Sequence, residues 1–211
     1  MYAATGDQMQ QAFAEEFFAR QFFNASVARL FAPPYNLVSA IAVPAMPCTP
    51  DELLAHLKAM GIATQTIHHP PLHTVAQSRA LRGKIPGAHA KNLFVKDKKG
   101  RLFLISALEN AALDLKQPHQ SIGGQGRVSF GSAELLEEVL GVRPGCVTPF
   151  AAINDQGRVT IVLDADLMAH NLLNFHPLAN NSTTSIAATG LLTFLRASGH
   201  EPVIVALPKS N

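Results

Sequence analysis

Apolar positions in this chain come in short bursts cut by turn residues. The sharpest is Leu93-Phe94-Val95, set between Lys91-Asn92 and Lys96-Asp97. A continuous apolar run this short predicts a strand covered on both faces. Asp97-Lys98-Lys99-Gly100 reads as a polar turn, and residues 101–106 as a second strand, so 91–106 is expected to form a hairpin. Lys91 and Asn92 stand where the first strand enters the fold, and two readings stay open. They hold a ligand, since a cation and an amide are costly to desolvate without partners. Or Lys91 snorkels to solvent and Asn92 caps a turn.

Elsewhere the pattern predicts short helices alternating with short strands. Thr49-Pro50-Asp51-Glu52 is a capping box with proline in the first turn, ahead of Leu53, Leu54, Leu57 and Met60 on one face and a stop at Gly61. A strand is expected over 62–68, a stiff turn over 68–73, and helices over 74–83 and 110–116. Gly123-Gly124-Gln125-Gly126 lacks the Lys-Ser/Thr ending of a phosphate loop and reads as a flexible loop. A strand over 128–130 precedes a helix capped by Ser132, with Leu135, Leu136, Val139 and Leu140 as its face and Gly141 as its end. Residues 150–154 and 158–163 read as a second hairpin around Asp155-Gln156-Gly157. Asp164 starts a brief helix, and 171–177 is a strand carrying Asn174 and His176. The polar run 180–185 is expected to lead into a helix over 186–197, and 202–206 closes as a strand. Strands that alternate with helices and include hairpins predict an α/β (α+β) domain. Its centre is a mixed sheet flanked by short helices.

Residues 1–47 differ from the rest. Six of the twelve phenylalanines fall there: Phe13, Phe17, Phe18, Phe22, Phe23 and Phe31. Their spacing predicts a helix over 7–30, ended by Pro33-Pro34. The segment is expected to be an appendage, either a helix that packs on something or sequence upstream of a true start at Met46. The domain proper is expected over 48–211. Asp7, Glu15 and Glu16 interrupt the segment, so it does not read as a secretory signal.

Composition narrows the class. A hydrophobic content of 47% excludes a disordered chain. A net charge of +2 is too small for a general nucleic-acid coat, so DNA is not an expected partner. Lys84, Lys91, Lys96, Lys98, Lys99 and Arg101 leave a local basic face open, with a solvated rim as the other reading. Two distant cysteines, Cys48 and Cys146, fit a reducing compartment, the cytoplasm. No apolar run spans a membrane. His69 and His73 have the spacing of a zinc helix, but Pro70 and Pro71 forbid a helix there, and no metal or cofactor is expected.

Three runs carry the chemistry: 91–100, which opens Lys91-Asn92-Leu93-Phe94; Gly141-Val142-Arg143-Pro144-Gly145-Cys146-Val147-Thr148-Pro149-Phe150; and Asn174-Phe175-His176-Pro177-Leu178. Glycine and proline fix the second as a loop that presents backbone N–H groups. In this order and spacing the three resemble the free-standing trans-editing deacylases related to the inserted editing domain of bacterial prolyl-tRNA synthetase. The branch that hydrolyses alanyl-tRNA(Pro) fits best. The resemblance covers about 49–207 and leaves out 1–47.

That resemblance implies the fold of the editing domain and hydrolysis of the ester between an amino acid and the tRNA 3′ end. It implies that Lys91 is the key side chain with Asn92 beside it, and that Gly145 to Pro149 line the pocket, with amides around Gly145 holding the aminoacyl group. His176 lines the same pocket, or is simply structural. From the residues, Ser106 at the end of its strand is a further candidate to face it. Cys146 stands where serine is usual, and Asn180-Asn181-Ser182-Thr183-Thr184 replaces a commoner run, so amino-acid choice is what the departures touch. Cysteinyl-tRNA(Pro) or a seryl-tRNA is the alternative substrate, and non-catalytic binding of tRNA or a synthetase is the alternative class. The expected partners are the 3′ end of mischarged tRNA(Pro) and, less directly, prolyl-tRNA synthetase. An aminoacyl ester is already activated, so a placed water and donors for the oxyanion suffice, with the tRNA 2′-hydroxyl helping to place the water. Asp164 or Asp166 is a candidate base that nothing in the sequence singles out. The central expectation is that the Lys91 amine and the amides around Gly145 face one small pocket.

Overall fold

The computed structural model describes residues 46–70, 85–114 and 121–209. The helices expected over 7–30 and 74–83, and all but the last two residues of the appendage, lie outside them.

Local chemistry sets the helices. In α1 (Pro50–Ala59) the Thr49 hydroxyl accepts the Glu52 N–H at 3.3 Å while the Glu52 carboxylate accepts the Thr49 N–H at 2.8 Å. The box satisfies N–H groups that the first turn leaves open. Leu53 and Leu57 bury one face completely. α2 (Ala133–Leu140) is capped by Ser132, whose hydroxyl accepts from Leu135 N–H at 3.2 Å, and buries Leu136, Val139 and Leu140. α3 (Ala165–Met168) is a single turn after Asp164, and α4 (Ala188–Ala197) buries Leu191, Phe194 and Leu195.

These helices accompany an eight-stranded mixed sheet. Its strands are β1 (Thr64–His68), β2 (Ala88–Lys96), β3 (Leu102–Leu108), β4 (Ser129–Phe130), β5 (Val159–Asp164), β6 (Leu172–Phe175), β7 (Ser182–Ala187) and β8 (Val203–Val205). The order is β1-β7-β6-β2-β3-β5-β8, with β4 paired to β2. β2/β6, β3/β5 and β5/β8 are parallel; β1/β7, β6/β7, β2/β3 and β2/β4 are antiparallel.

Side-chain alternation divides β2 and β3 into two faces. Leu93, Val95, Phe103, Ile105 and Ala107 join Ile122, Val128, Val162 and Leu207 in one apolar cluster. Asn92, Phe94, Leu104 and Ser106 fall on the other face. Beside Phe175 of β6, Phe150 sets its ring edge-on to Phe175 at 5.8 Å and to Phe194 at 5.5 Å.

Three expected elements are corrected. Residues 150–154 are not a strand: Pro149–Asn154 is a 3₁₀ helix, with Thr148 as cap and proline at its first position. Phe150, Ala151, Ala152 and Ile153 are all buried, so they carry no alternation that separates strand from helix. The run before α4 is not a polar lead-in but the interior strand β7, between β1 and β6, whose Ser182, Thr183, Thr184, Ser185 and Ile186 are buried. Its hydroxyls are paired: Thr184 with Thr66 at 2.9 Å, Thr183 with His69 at 3.0 Å, and Ser185 with Asn174 at 2.6 Å. Last, the described part of 110–116 is no helix, since Leu113 bridges Lys209 instead.

The turn 97–100 is stiffer than its polarity implies. Asp97, buried, accepts from Lys99 N–H, Arg101 N–H, the Arg101 guanidinium and Gln125 N–H at 2.8–3.0 Å. The glycine-rich loop over 123–126 is thereby tied to the β2–β3 turn, and Arg101 is drawn out of the basic run into an ion pair.

Candidate active site

The site lies where β2 changes partners. On one edge β2 pairs β3 from Ala90 to Lys96. On the other, only Ala88 and His89 pair β6, and only Val95 and Lys96 pair β4. Gly87 starts the divergence at φ +103°, with Leu172 O only 2.8 Å from where a Cβ would stand. A buried Asn–Ser rung fixes the same corner: Asn174 Nδ2 donates to Pro86 O at 3.0 Å, and its Oδ1 accepts from Ser185.

A second such rung stands beyond the split. Asn92 and Ser106 face each other across β2 and β3, and Ser106 Oγ donates to Asn92 Oδ1 at 2.7 Å. Asn92 Nδ2 donates to Val147 O at 2.9 Å. This second contact ties the sheet to the glycine–proline loop. The loop is shaped by Gly145 at φ +87° and by a turn from Cys146 N–H to Arg143 O at 2.9 Å. The hydroxyl of Thr148 accepts from Phe150 N–H at 3.4 Å; Thr148 and Pro149 are buried, and Phe150 pins the loop into the core. The N–H of Asn180, in the turn after β6, lies close enough to the Cys146 sulfur to favour its thiolate.

Lys91 takes another direction. Its amine donates to the Ala111 carbonyl, and alternation sets Lys91 on the face of Leu93, Val95 and Ala107, opposite Asn92. The group that touches the loop is thus Asn92, not the lysine. An ammonium has three N–H donors, so two remain for a ligand. Partial burial lowers the Lys91 pKa.

The last β2/β6 pair is His89 with Asn174, so Lys91 and His176 each stand two residues past the fork. His176 Nδ1–H donates to Ser182 O at 3.0 Å, which leaves Nε2 as an acceptor in the neutral ring. Burial lowers the His176 pKa; the Ser182 bond raises it and nearby His69 lowers it further. Leu178, after Pro177, holds φ +64°, a left-handed conformation uncommon outside glycine, with its N–H on His176 O at 3.0 Å. Such strain clusters where geometry must be held.

Comparison with known proteins gives the family. The sequence model described as the aminoacyl-tRNA editing domain matches residues 69–194, more than half of the chain. The chain belongs to the aminoacyl-tRNA editing domain family. It is 34% identical over 158 residues to a Bos taurus protein named "Prolyl-tRNA synthetase associated domain-containing protein 1", covering 73% of this chain and 92% of that one. It is 29% identical over 150 residues to "Prolyl-tRNA editing protein ProX" of Acetoanaerobium sticklandii, covering 70% and 91%. A solved structure of a "putative trans-editing enzyme for prolyl tRNA synthetase" shares the fold, with a TM-score of 0.55 at 18% identity over 70% of this chain and 87% of that one.

Within this editing domain the structure brings together Asn92, Ser106, Cys146 and Val147, with His176 joined through the 180–182 turn. His69 is the residue that sequence reasoning passed over. Its ring stands edge-on to His176 at 6.5 Å, its Nδ1–H donates to Pro70 O at 2.9 Å, and its Nε2 accepts from the Thr183 hydroxyl. The His69–His73 spacing suggests only a metal pair, which Pro70 and Pro71 exclude. With both nitrogens engaged, His69 instead packs and orients. Burial also pushes the Cys146 thiol up in pKa, against the N–H of Asn180 and the Arg143 charge. A protonated thiol is a poor nucleophile.

Asp164 ends β5, one residue past Leu163, the partner of Ser106 in β3, and Asp166 lies in α3. Asp164 Oδ1 accepts from Leu207 N–H at 3.1 Å, and Asp166 pairs with Lys209. Both carboxylates are thus bound to the C-terminal segment. Among the described residues, no helix is long and apolar enough to cross a membrane.

Proposed function

We propose that this chain is a trans-editing deacylase that hydrolyses the ester of mischarged tRNA(Pro), with alanyl-tRNA(Pro) as its preferred substrate. The observation that carries the reading is the bridge from Asn92 to the Val147 carbonyl, which holds the shaped loop against the sheet where β2 and β6 part. Family membership and the two relatives named for prolyl-tRNA editing or prolyl-tRNA synthetase support the substrate class.

In this reading the loop amides and the donors at the fork receive the developing oxyanion. Neutral His176 offers Nε2 as an acceptor for the substrate ammonium or the 2′-hydroxyl. Lys91, anchored by one N–H on Ala111, turns its remaining donors to the phosphate of the terminal nucleotide. No protein nucleophile is required, because the ester is activated and a placed water completes the reaction. The sieve has a physical motive: each missing methylene gives a synthetase pocket only about 1–3 kcal/mol of discrimination, so a second, smaller site removes alanine.

A panel of charged tRNAs tests this. Purified protein is incubated with alanyl-, cysteinyl-, seryl- and prolyl-tRNA(Pro), and amino-acid release is followed. Fastest release of alanine with prolyl-tRNA(Pro) spared is the expected result. Fastest release of cysteine or serine would move the substrate, and binding without turnover of any would make the chain a binding module.

A further inference from the structure

The pairing pattern of β2 exposes a main-chain group to which no function has yet been given. In an antiparallel pair, residues alternate between those whose N–H and C=O bond the partner strand and those whose groups point away. Two bonds fix the phase of β2 and β3. Asp97 N–H donates to Arg101 O at 3.0 Å, and Glu109 N–H donates to His89 O at 2.9 Å. The odd-numbered residues of β2 therefore bond β3, and Asn92 opposite Ser106 is a non-bonded pair. Its side-chain contact agrees, since non-bonded pairs approach most closely. The main-chain groups of Ala90, Asn92 and Phe94 thus point to the outer edge. Phe94 confirms the phase: its carbonyl accepts Gly131 N–H at 3.0 Å on that side.

On that outer edge β6 stops at His89 and β4 begins at Val95. The notch over 90–93, closed at one end by the Gly131–Phe94 bond, is about 10 Å long at strand spacing. No strand of the described residues pairs with Asn92 there. Lys91, Asn92 and Leu93 are only half-buried, whereas Phe94 and Val95 are buried. The Asn92 side chain is clamped by Ser106 and Val147, so its main chain is held still at the notch. A fixed N–H aimed into a gap between strands is the kind of donor that an oxyanion needs.

We infer that the main-chain N–H of Asn92 is a donor to the ester carbonyl oxygen, stabilising the oxyanion that forms as water adds. This rests on the deacylase reading above and adds an atom to it. The notch fits an extended, narrow ligand end such as an aminoacyl group on a terminal ribose. The clamp then gives Asn92 a second purpose: its side chain fixes the backbone that does the chemistry. As water attacks, the carbonyl π pair moves to oxygen and the negative charge meets the N–H. When the tetrahedral centre collapses, the oxyanion pair re-forms the carbonyl, the ribose oxygen leaves with its bonding pair, and it takes up the proton that the attacking water gives up.

Two variants separate backbone from side chain. Asn92→Ala removes the clamp and keeps the N–H. Asn92→Pro removes both, at an edge position where proline breaks no ladder bond. With both variants folded by circular dichroism, single-turnover alanine release is expected to fall a further 10²–10³-fold or about that in Asn92→Pro relative to Asn92→Ala, the usual loss for one oxyanion donor. Equal rates in the two would overturn the inference, while a wild type without release would overturn the deacylase reading instead. Should Asn92→Pro fail to fold, the wild-type amide is read directly by NMR. Saturation with a non-hydrolysable 3′-alanylamido adenosine is expected to move the Asn92 N–H resonance downfield. An unmoved Asn92 resonance, with loop resonances shifted, contradicts the inference.

Discussion

Ser106 on β3 donates its hydroxyl proton to Asn92 on β2 across a distance of 2.7 Å, and through Asn92 it governs a loop some forty residues away in sequence. Ser106 is fully buried, so its hydroxyl is there for that bond. Ser106→Ala leaves Asn92 Oδ1 without its donor and is expected to cost about 1–3 kcal/mol. Urea unfolding measures the loss. Turnover should fall as well, because the Asn92 amide is no longer held toward Val147. Ser106→Thr keeps the hydroxyl and should restore much of both.

Gly145 makes a cleaner test of loop shape. It holds φ +87°, and nothing lies within 4 Å of where a Cβ would stand. Gly145→Ala therefore meets a conformational penalty without a clash, about 1–2 kcal/mol for a left-handed residue. If the loop shifts to relieve it, the following amides are re-aimed. We expect a stability loss in that range and a larger fractional loss in kcat than in KM. A variant with unchanged kcat would show that this loop does not shape the reacting site.

The pH behaviour of His176 follows from its surroundings. Burial holds its pKa below the ordinary value, helped by His69 and opposed by the Ser182 bond. The folded state thus binds a proton less readily than the unfolded chain. His176 contributes stability in full above the unfolded value, near 6.5, and loses it as pH falls toward and through the folded value. NMR titration of its ring should give a midpoint below 6.5, and alanine release should persist to correspondingly lower pH. His69→Ala removes one cause of the shift and should raise that midpoint.

Much of this was readable from the chain and some was not. The β2–β3 hairpin was legible because a continuous apolar run met a polar turn. The caps at Thr49 and Ser132 were legible because capping is local. β7 was hidden, since a buried strand built of Ser182, Thr183, Thr184 and Ser185 looks like a loop until its hydroxyl partners Thr66, His69 and Asn174 are known. The 3₁₀ helix at Pro149 was hidden for the opposite reason, because five buried residues in a row show no period. At the site, residue types pointed to Asn92, the loop and His176. Which of Lys91 and Asn92 reaches the loop depends on strand phase, which only the pairing register fixes.

Asp97 tests the frame rather than the site. Burial raises its pKa, but the hydrogen bonds from Gln125, Arg101 and Lys99 outweigh that and hold the carboxyl at about 2. Its contribution to stability is complete above the unfolded value, near 3.9, and is lost as pH falls toward 2. Unfolding midpoints between pH 2 and 6 should drop in the wild type and be flatter in Asp97→Asn, which is less stable at neutral pH. Parallel profiles would show that this carboxylate does not anchor the turn.

The most direct check of the central claim is the single-turnover release of alanine from alanyl-tRNA(Pro) by the wild type and by Lys91→Ala. Release well above the buffer rate, reduced at least tenfold by Lys91→Ala with the fold intact, is the predicted result. Wild-type release no faster than buffer, or full activity without the lysine amine, would contradict it.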